Sequence, residues 1–329
     1  MNKIESPITW GVIGAGDVCE IKSVPGIYKN KDSVVRSVMR RDLKKAKDYA
    51  ARHNIPNVFD NADQIFNDPK IDIVYISTPP STHAEYAIRA AKSGKAAYVE
   101  KPMAMTYQEC ISMVEAFETA QLPLFVAYYR RTLPNYLRVK EIVDSGIIGD
   151  IRFVNIEMNK TLIPDNIALP EENWRVDPDI AGGGYFYDLA SHQLDFLDFL
   201  FGPISEAKGF SANQSGIYKA EDIVTANFKF ENGILGIGNW SFNTGKVSDK
   251  DMTTIVGSMG QVKYPGFGEA LVILETDKKG IEEFHFELPK HIQSNLIQTI
   301  NDELLDQGKC PSSGTSGART NWVLEEILY

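Results

Sequence analysis

Short apolar segments alternate with helical segments along the first 125 residues, and this alternation limits the possible folds more than any other feature. The predicted strands are ITWGVIGAG, VVRSVMR, IDIVYIS, AAYVE and LFVAYY. The predicted helices are a segment from Asp17, then DLKKAKDYAARH, STHAEYAIRAAKSG and TYQECISMVEAFETA. Strands joined by helices of this length run parallel and are connected by right-handed crossovers. The sequence therefore predicts an α/β domain, a doubly wound Rossmann sheet with helices on both faces.

The pattern changes after about residue 125. A helix, LPNYLRVKEIVDSG, precedes a strand, IRFVNIEMN, and a second helix, DLASHQLDFLDFLFG. The later segments predict antiparallel strands with one polar face and a hairpin turn at Asn232-Gly233; they are IVTANFKFENGILGIGNWSF, TTIVGSMGQVKY and ALVILET. Because 329 residues exceed what one core usually supports, we expect a Rossmann domain at 1–125 and an α+β domain at 126–329. The amphipathic helix at about 313–329 is a candidate for packing back onto the first domain.

The composition excludes several kinds of partner. A formal net charge of −10 repels polyanions, so we expect neither nucleic acid nor an anionic membrane as a partner. No apolar run approaches the roughly 18 residues of a membrane span, and the N-terminus lacks the pattern of a signal peptide. The three cysteines are far apart, which fits neither a disulfide framework nor a metal site. These features indicate a cytoplasmic protein without a metal.

A glycine pair follows the first strand and opens the first helix. Gly14 allows a tight turn, and Gly16 lets backbone N–H groups approach a pyrophosphate. The third glycine of the dinucleotide-binding pattern is replaced by Cys19. A plain turn between strand and helix is the alternative interpretation, but the further alternating units favour dinucleotide binding.

The second strand ends in Met39-Arg40-Arg41-Asp42, where NAD-binding proteins usually carry an acid that binds the ribose hydroxyls. Two guanidinium groups at this point would attract a 2′-phosphate, because arginine pairs with phosphate oxygens in a planar geometry. The alternative is that Arg40 and Arg41 extend the basic face of the following helix. We therefore predict NADP as the cofactor, with NAD as the second possibility.

Two remote segments carry candidate catalytic groups. Lys101 follows the predicted strand AAYVE, whose carboxyl end faces the ligand crevice of a doubly wound sheet, and its amine is able to exchange a proton with a substrate oxygen. Three glycines, 182–184, precede Asp188 and His192, which share one face at i and i+4 if a helix begins near Tyr185. The alternatives are a surface lysine and a buried Asp-His pair. Asp195 either shares that face or pairs locally.

Taken together, these segments resemble the Gfo/Idh/MocA oxidoreductases over essentially the whole chain. The similar features are the glycine turn, Ser77-Thr78-Pro79-Pro80 with His83, Glu100-Lys101-Pro102, Tyr129-Arg130-Arg131, and the three glycines leading to Asp188 and His192. The resemblance implies a nicotinamide-binding Rossmann domain and a second domain with a large open, mostly antiparallel sheet that is commonly used for oligomer contacts. It also implies that Lys101, Asp188 and His192 surround the reacting carbon. Two departures are Cys19 and Tyr129, which stands where many relatives carry a polar amide.

The predicted catalytic residues are therefore Lys101, His192 and Asp188. The predicted cofactor-binding residues are Gly14, Ala15, Gly16, Asp17, Val18, Arg40, Arg41, Ser77, Thr78, Pro79, His83, Glu100, Lys101 and Arg130. The predicted substrate-binding residues are Lys101, Tyr129, Trp174, Arg175, Asp188 and His192. For His83, a histidine of the hydrophobic core is the alternative to a position near the nucleotide.

These residues predict an NAD(P)-dependent oxidoreductase, with NADP favoured over NAD. The reaction is a hydride transfer between nicotinamide and a carbinol or ketone carbon of a sugar, polyol or related small molecule. We expect a homodimer or homotetramer. Two alternatives stay open at this point: an NAD-dependent glycosidase that oxidises its substrate transiently, and a non-enzymatic nucleotide-binding sensor.

Overall fold

The computed structural model describes residues 4–161 and 173–329, which form two compact units. The first unit comprises Met1–Tyr129 and Pro289–Ala318. The second comprises Arg130–Leu288 and Arg319–Tyr329. Each unit contains one β-sheet.

The first unit contains a six-stranded sheet in which every pairing is parallel. Its strands are β1 (Ile8–Ile13), β2 (Ser33–Met39), β3 (Asn57–Phe59), β4 (Ile73–Ile76), β5 (Ala96–Val99) and β6 (Leu124–Val126). The strand order is β3-β2-β1-β4-β5-β6, which confirms the predicted doubly wound α/β sheet. The order reverses between β1 and β4, so the crevice for a ligand opens at the carboxyl ends of these two strands.

Helices surround this sheet, and their ends follow local sequence signals. They are α1 (Asp17–Ile21), α2 (Val24–Tyr28), α3 (Leu43–His53), α4 (Asp63–Phe66), α5 (His83–Lys92) and α6 (Tyr107–Ala120). Asp42 caps the N-terminus of α3, and its side chain accepts hydrogen bonds from the backbone N–H groups of Lys44 and Lys45. The α6 helix begins with a capping box between Thr106 and Glu109. Apolar side chains fill a core on each face of the sheet, as the continuous apolar strand segments predict.

The second unit contains an eight-stranded sheet that is mostly antiparallel, with one parallel pairing between the first and fourth of its strands in chain order. Its strands are β7 (Ile151–Thr161), β8 (Ile204–Ala212), β9 (Ile223–Phe230), β10 (Leu235–Thr244), β11 (Lys250–Gly257), β12 (Gly260–Tyr264), β13 (Leu271–Thr276) and β14 (Gly280–His285). The order is β14-β13-β12-β11-β7-β10-β9-β8, an open sheet that confirms the predicted fold class. The predicted Asn232-Gly233 turn lies between β9 and β10.

Helices pack on one face of this sheet. They are α7 (Pro134–Asp144), α8 (Pro178–Ala181) and α9 (Ser191–Phe201), and a π-helical segment, Phe186–Ala190, directly precedes α9. The predicted α-helix beginning near Tyr185 is therefore wrong in type over its first turn. Each hydrogen bond of a π segment spans one residue more than in an α-helix, so the expected i,i+4 alignment of Asp188 with His192 is shifted.

Two helices complete the chain, α10 (Ser294–Leu304) and α11 (Gly314–Leu328). Ile297 and Ile300 of α10 are buried in the core of the first unit. Ala318 of α11 packs in the core on the other face of the same sheet, and the residues from Arg319 onward belong to the second unit. Among residues 4–161 and 173–329, no helix is long and apolar enough to cross a membrane.

Candidate active site

The glycine turn lies at the carboxyl end of β1 and packs against the loop after β4. Gly14 has φ +90°, and a Cβ atom there would lie 2.6 Å from the Thr78 methyl carbon. The Ser77 hydroxyl donates to the Gly14 carbonyl at 2.9 Å. Glycine is therefore required at position 14 by both its backbone conformation and the close approach of the Ser77-Thr78 loop.

Gly16 has no such requirement within the chain. Its φ of −105° suits any residue, and a Cβ atom would meet only the Gly14 carbonyl oxygen, at 3.8 Å. The turn thus leaves open space beside the first residues of α1, where Asp17 is exposed and Val18 is half-buried. This open space fits the close approach of a dinucleotide pyrophosphate to backbone N–H groups.

Cys19 stands where a third glycine is common, and the structure accommodates it without loss of packing. Its thiol is buried against the Ser77 hydroxyl, with Sγ and Oγ 3.1 Å apart. Burial raises the pKa of the Cys19 thiol to about 12, so the side chain stays neutral. The substitution therefore adds a contact between α1 and the loop after β4.

Arg40 extends from the end of β2 toward the glycine turn. Its Nη1 donates to the Ala15 carbonyl at 2.9 Å. Arg41 is exposed beside it, and Asp42 is engaged in capping α3. Backbone hydrogen bonds from α3, led by that of Lys45, lower the pKa of Asp42. The end of β2 therefore places the Arg40 guanidinium near the glycine turn, while the carboxylate of Asp42 caps α3.

Glu100 and Lys101 follow β5 at the same edge of the sheet. The Glu100 side chain is only 7% exposed, and its Oε1 accepts hydrogen bonds from the Tyr75 hydroxyl at 2.6 Å and from the Gln293 amide at 2.7 Å. The backbone N–H of Lys101 lies 3.3 Å from Glu100 Oε2. Sequence reasoning missed Tyr75 and Gln293, because neither belongs to a recognisable pattern.

His83 connects the two loops on which this edge depends. Its Nε2 lies 2.7 Å from the Thr78 carbonyl and its Nδ1 lies 3.0 Å from the Pro102 carbonyl. Burial lowers the pKa of His83, against the effect of these carbonyls. The buried ring therefore holds the loop after β4 against the loop after β5.

The three glycines at 182–184 pack closely within the second unit. Gly184 has φ +59°, and a Cβ atom there would lie 2.5 Å from Ala220 Cβ. A Cβ atom at Gly183 would lie 2.2 Å from the Tyr187 ring. The close contacts of this glycine loop therefore lie inside the second unit, and the loop leads directly into the π-helical segment.

Three predicted substrate-binding residues come together beside this loop. Asp188, in the π-helical segment, has a side chain 24% exposed, and its Oδ2 lies 3.7 Å from Arg175 Nε. The Arg175 guanidinium stacks on the Trp174 ring at 4.5 Å from its centre. An indole face, a guanidinium and a partly exposed carboxylate thus form one polar and aromatic patch.

His192 lies in the first turn of α9 in quite different surroundings. It is 2% exposed, and its ring centre lies 6.0 Å from that of Phe267. Phe267 also supports the Arg130 guanidinium, 4.2 Å from the ring centre. Arg130 donates to the Gly266 carbonyl through Nε and Nη2, at 3.1 and 2.9 Å. The 266–267 loop therefore contacts both predicted residues, and it carries no sequence signal that we recognised.

Asp195 has a structural role. Its carboxylate accepts two hydrogen bonds from Arg131, at 2.6 and 2.9 Å, and both side chains are buried. Burial raises the pKa of Asp195 to about 6, although the Arg131 ion pair opposes that shift. The observed partner, Arg131, lies 64 residues earlier in the chain, so this pair is not the local one considered from the sequence.

The structure thus groups the predicted residues within each unit. The carboxyl edge of the first sheet carries the glycine turn and the segments around Arg40, Ser77, Glu100 and Lys101. Tyr129 packs against the core of the same unit. The combination of Lys101 with Asp188 and His192 joins residues of different units and stays a prediction. Among residues 4–161 and 173–329, no group of three or more His, Cys, Asp or Glu side chains is arranged to hold a metal ion.

A parallel sheet of this order, with a glycine turn where the order reverses, defines a dinucleotide-binding Rossmann domain. Residues 8–128 match the family described as "Oxidoreductase family, NAD-binding Rossmann fold", and residues 136–263 match the Gfo/Idh/MocA C-terminal domain. The chain belongs to the Gfo/Idh/MocA family of oxidoreductases, which confirms the resemblance found in the sequence.

Similar proteins extend over nearly the whole chain. Oxidoreductase P35 of Formosa agariphila is 37% identical over 323 residues, 98% of each chain. A levoglucosan dehydrogenase solved with NADH and levoglucosan has a TM-score of 0.85 at 21% identity, covering 97% of this chain and 95% of that one. An aldose-aldose oxidoreductase of Caulobacter crescentus solved with glycerol has a TM-score of 0.83 at 23% identity, covering 97% and 96%. The two solved structures share this fold.

Proposed function

We propose that the protein is an NADP-dependent oxidoreductase that acts on a CH–OH or carbonyl carbon of a sugar, polyol or related polyhydroxylated molecule. The observation that supports the cofactor preference is the contact of Arg40 with the Ala15 carbonyl. This contact holds the Arg40 guanidinium between the end of β2 and the glycine turn. The turn would bind the pyrophosphate, and the guanidinium would pair with the 2′-phosphate on the adenosine ribose. Asp42, which would repel that phosphate, is held in the cap of α3.

The first unit would hold the dinucleotide through the glycine turn, Arg40, Arg41 and the Ser77-Thr78-Pro79 loop. When bound, the nicotinamide supplies a hydride acceptor or donor. Lys101 and His192 would exchange a proton with the substrate oxygen, and Asp188 would accept a hydrogen bond from a neighbouring hydroxyl. Arg175 and Trp174, which contact one another beside Asp188, would form a wall of the substrate site.

The substrate class is supported by the donors and acceptors of the polar patch in the second unit. A carboxylate, a guanidinium and an indole face suit a molecule with several hydroxyl groups and apolar C–H faces. Among the similar proteins, one is named for levoglucosan and another for aldoses. A carbohydrate or polyol is therefore the substrate class that we propose.

The cofactor preference is tested by Arg40→Asp, with Lys47→Glu as a control of equal charge change on the exposed face of α3. The wild-type protein should bind NADPH more tightly than NADH in fluorescence titrations. Arg40→Asp should reverse that order, because a carboxylate repels the 2′-phosphate and accepts ribose hydroxyls. Lys47→Glu should keep the original order. Tighter binding of NADH by the wild-type protein would contradict the proposed preference.

The reaction is tested by absorbance of the reduced nicotinamide with levoglucosan, D-glucose, D-xylose, myo-inositol and glycerol, each with both cofactors. Turnover that consumes cofactor and substrate in equal amounts supports the proposal. A cofactor retained through purification with no net turnover would indicate the glycosidase alternative. Nucleotide binding without any reaction would indicate the sensor.

We also propose that the protein is a homo-oligomer formed through the outer face of the open sheet. Phe153, Leu235 and Ile237 are exposed large apolar side chains on that face. Leu235 and Phe153 are directly paired across β10 and β7. Adjacent exposed apolar groups on a sheet are typical of a protein interface.

A further inference from the structure

Glu100 is a buried acid that the sequence predicts to bind the cofactor, but its side chain forms hydrogen bonds within the protein. Two donors, the Tyr75 hydroxyl and the Gln293 amide, converge on its Oε1. Burial, with a smaller contribution from Glu100, raises the pKa of Tyr75 well above that of an exposed phenol, so this hydroxyl stays protonated and donates. With Oε1 occupied, Oε2 accepts the backbone N–H of Lys101.

The orientation of the Gln293 amide is determined by its two neighbours. Its nitrogen lies 2.7 Å from Glu100 Oε1 and its oxygen accepts the Tyr98 hydroxyl at 2.8 Å. The opposite orientation would place the amide oxygen against Glu100 Oε1, which already accepts the Tyr75 hydroxyl, so two acceptor atoms would face each other. Gln293 is fully buried, so these bonds are shielded from bulk solvent.

The backbone of Gln293 is anchored to the helix that follows the glycine turn. Its N–H donates to the Lys22 carbonyl at 3.1 Å, at the end of α1. Two residues earlier, His291 Nδ1 lies 2.7 Å from the Ile21 carbonyl. The segment before α10 is therefore hydrogen-bonded to the end of α1, and the buried side-chain amide of Gln293 reaches Glu100 after β5.

From this arrangement, we propose that Gln293 is a positioning residue for Lys101. Gln293 fixes the Glu100 carboxylate, and Glu100 in turn fixes the backbone of Lys101 at the carboxyl end of β5. The point from which the Lys101 side chain extends is thereby fixed as well. This inference rests on the proposed function, because it assumes that Lys101 contacts the substrate. Displacement of a reacting group by about 1 Å is able to cost roughly 100-fold in rate, so a single amide has a measurable effect.

The first test is Gln293→Leu in the full-length protein, with Gln298→Leu on α10 as a control outside this network. Gln293→Leu removes the donor to Glu100 and the acceptor of Tyr98 at nearly constant volume. We expect kcat for the best substrate of the panel to fall roughly 10- to 100-fold, with the NADPH dissociation constant within about threefold of wild type. Gln298→Leu should leave kcat unchanged. An unchanged kcat in folded Gln293→Leu overturns the inference.

A second variant gives a signature that a merely structural residue would not. In Gln293→Glu, a protonated acid is able to donate to Glu100 as the amide does, whereas two ionised carboxylates repel each other. The ratio of variant to wild-type kcat should therefore approach one at acidic pH and fall as the pH rises. A ratio that is constant over pH would overturn the inference.

A third measurement does not depend on activity. Hydrogen exchange of the cofactor-free protein should be faster in Gln293→Leu in peptides covering residues 96–105, and unchanged in peptides of the second unit. Tyr98→Phe, which keeps the ring, replaces Gln293→Leu if that variant does not fold, and should show the same local change. Slower or uniform exchange overturns the inference. Full activity of Lys101→Met would instead contradict the role proposed for Lys101. The absence of nicotinamide-dependent turnover in the wild-type protein would contradict the proposed function, which separates that failure from failure of this inference.

Discussion

At the level of single residues, Lys101 and His192 are proposed to act on the same substrate oxygen, yet their surroundings differ. Lys101 is half-buried beside Glu100, whereas His192 is almost fully buried near Phe267. If both transfer or stabilise the proton, Lys101→Met and His192→Ala should each lower kcat by roughly 10²-fold or more. NADPH binding should persist in both. Steady-state kinetics and fluorescence titration measure the two effects, with exposed Lys92→Met as the control. Full activity of both variants would exclude this assignment.

The sequence predicted residues that belong to patterns and missed those that act through tertiary contacts. Gly14 and Ser77 were identifiable because a glycine turn after a strand has one common structural reason. Gln293 has no such signal, since its role depends on Glu100 and Tyr98, nearly 200 residues earlier in the chain. The sequence does not indicate the role of Asp195, because its buried partner Arg131 is not connected to it by any local spacing.

At the level of elements, α1 is attached to α3 by a charged group that should make stability depend on pH. Glu20 of α1 pairs with Arg52 of α3 at 2.6 Å and with His53 at 3.0 Å. The hydrogen bonds from Arg52 lower the pKa of Glu20 to about 2, below its value in the unfolded chain. A lowered folded-state pKa gives stabilisation that is present above about pH 4.3 and is lost as the pH falls toward 2.

We therefore expect Glu20→Gln to lower the free energy of unfolding at pH 7 and to have no effect near pH 2. The difference should be about 1 kcal/mol or less, because the carboxylate is one-third exposed and screened by solvent. Urea unfolding between pH 2 and pH 7 measures it. Asp48→Asn, which removes a more exposed partner of Arg52, should have a smaller effect. A difference that persists at pH 2 would mean that the charge of Glu20 is not its cause.

Two of the strands that the sequence analysis missed lack an alternating pattern of buried and exposed residues. The edge strand β8 has mostly exposed side chains along its length, and β3 has three half-buried residues, so neither shows a buried face. The π-helical segment was predicted as an α-helix because apolar spacing does not distinguish hydrogen bonds of different span over one turn. That distinction matters here, since it separates the partly exposed Asp188 from the buried His192.

At the level of the whole molecule, the first unit is completed by a segment that is distant in the sequence from its other residues. Residues 289–318, which follow the last strand of the second sheet in the sequence, belong to the first unit and supply Gln293 and the α10 core residues. The alternating pattern of the first 125 residues predicts the parallel sheet without them, because that sheet is built from local strand-helix units. A segment that packs at long sequence separation has only its amphipathic character to indicate it, and that character does not specify a partner.

Self-association is the property of the whole molecule that the exposed sheet face predicts. Leu235 and Ile237 are 54% and 49% exposed on β10, so burying them between two copies would remove apolar surface from water. We expect light scattering after size exclusion to give a multiple of the 36.7 kDa chain mass. Ile237→Lys should shift the mass toward the monomer, because a buried unpaired ammonium opposes association. Val247→Lys is the matched control, since Val247 is 98% exposed on the turn before β11 and lies off the sheet face. A monomeric wild-type protein, or equal dissociation of both variants, would show that this face is not the interface.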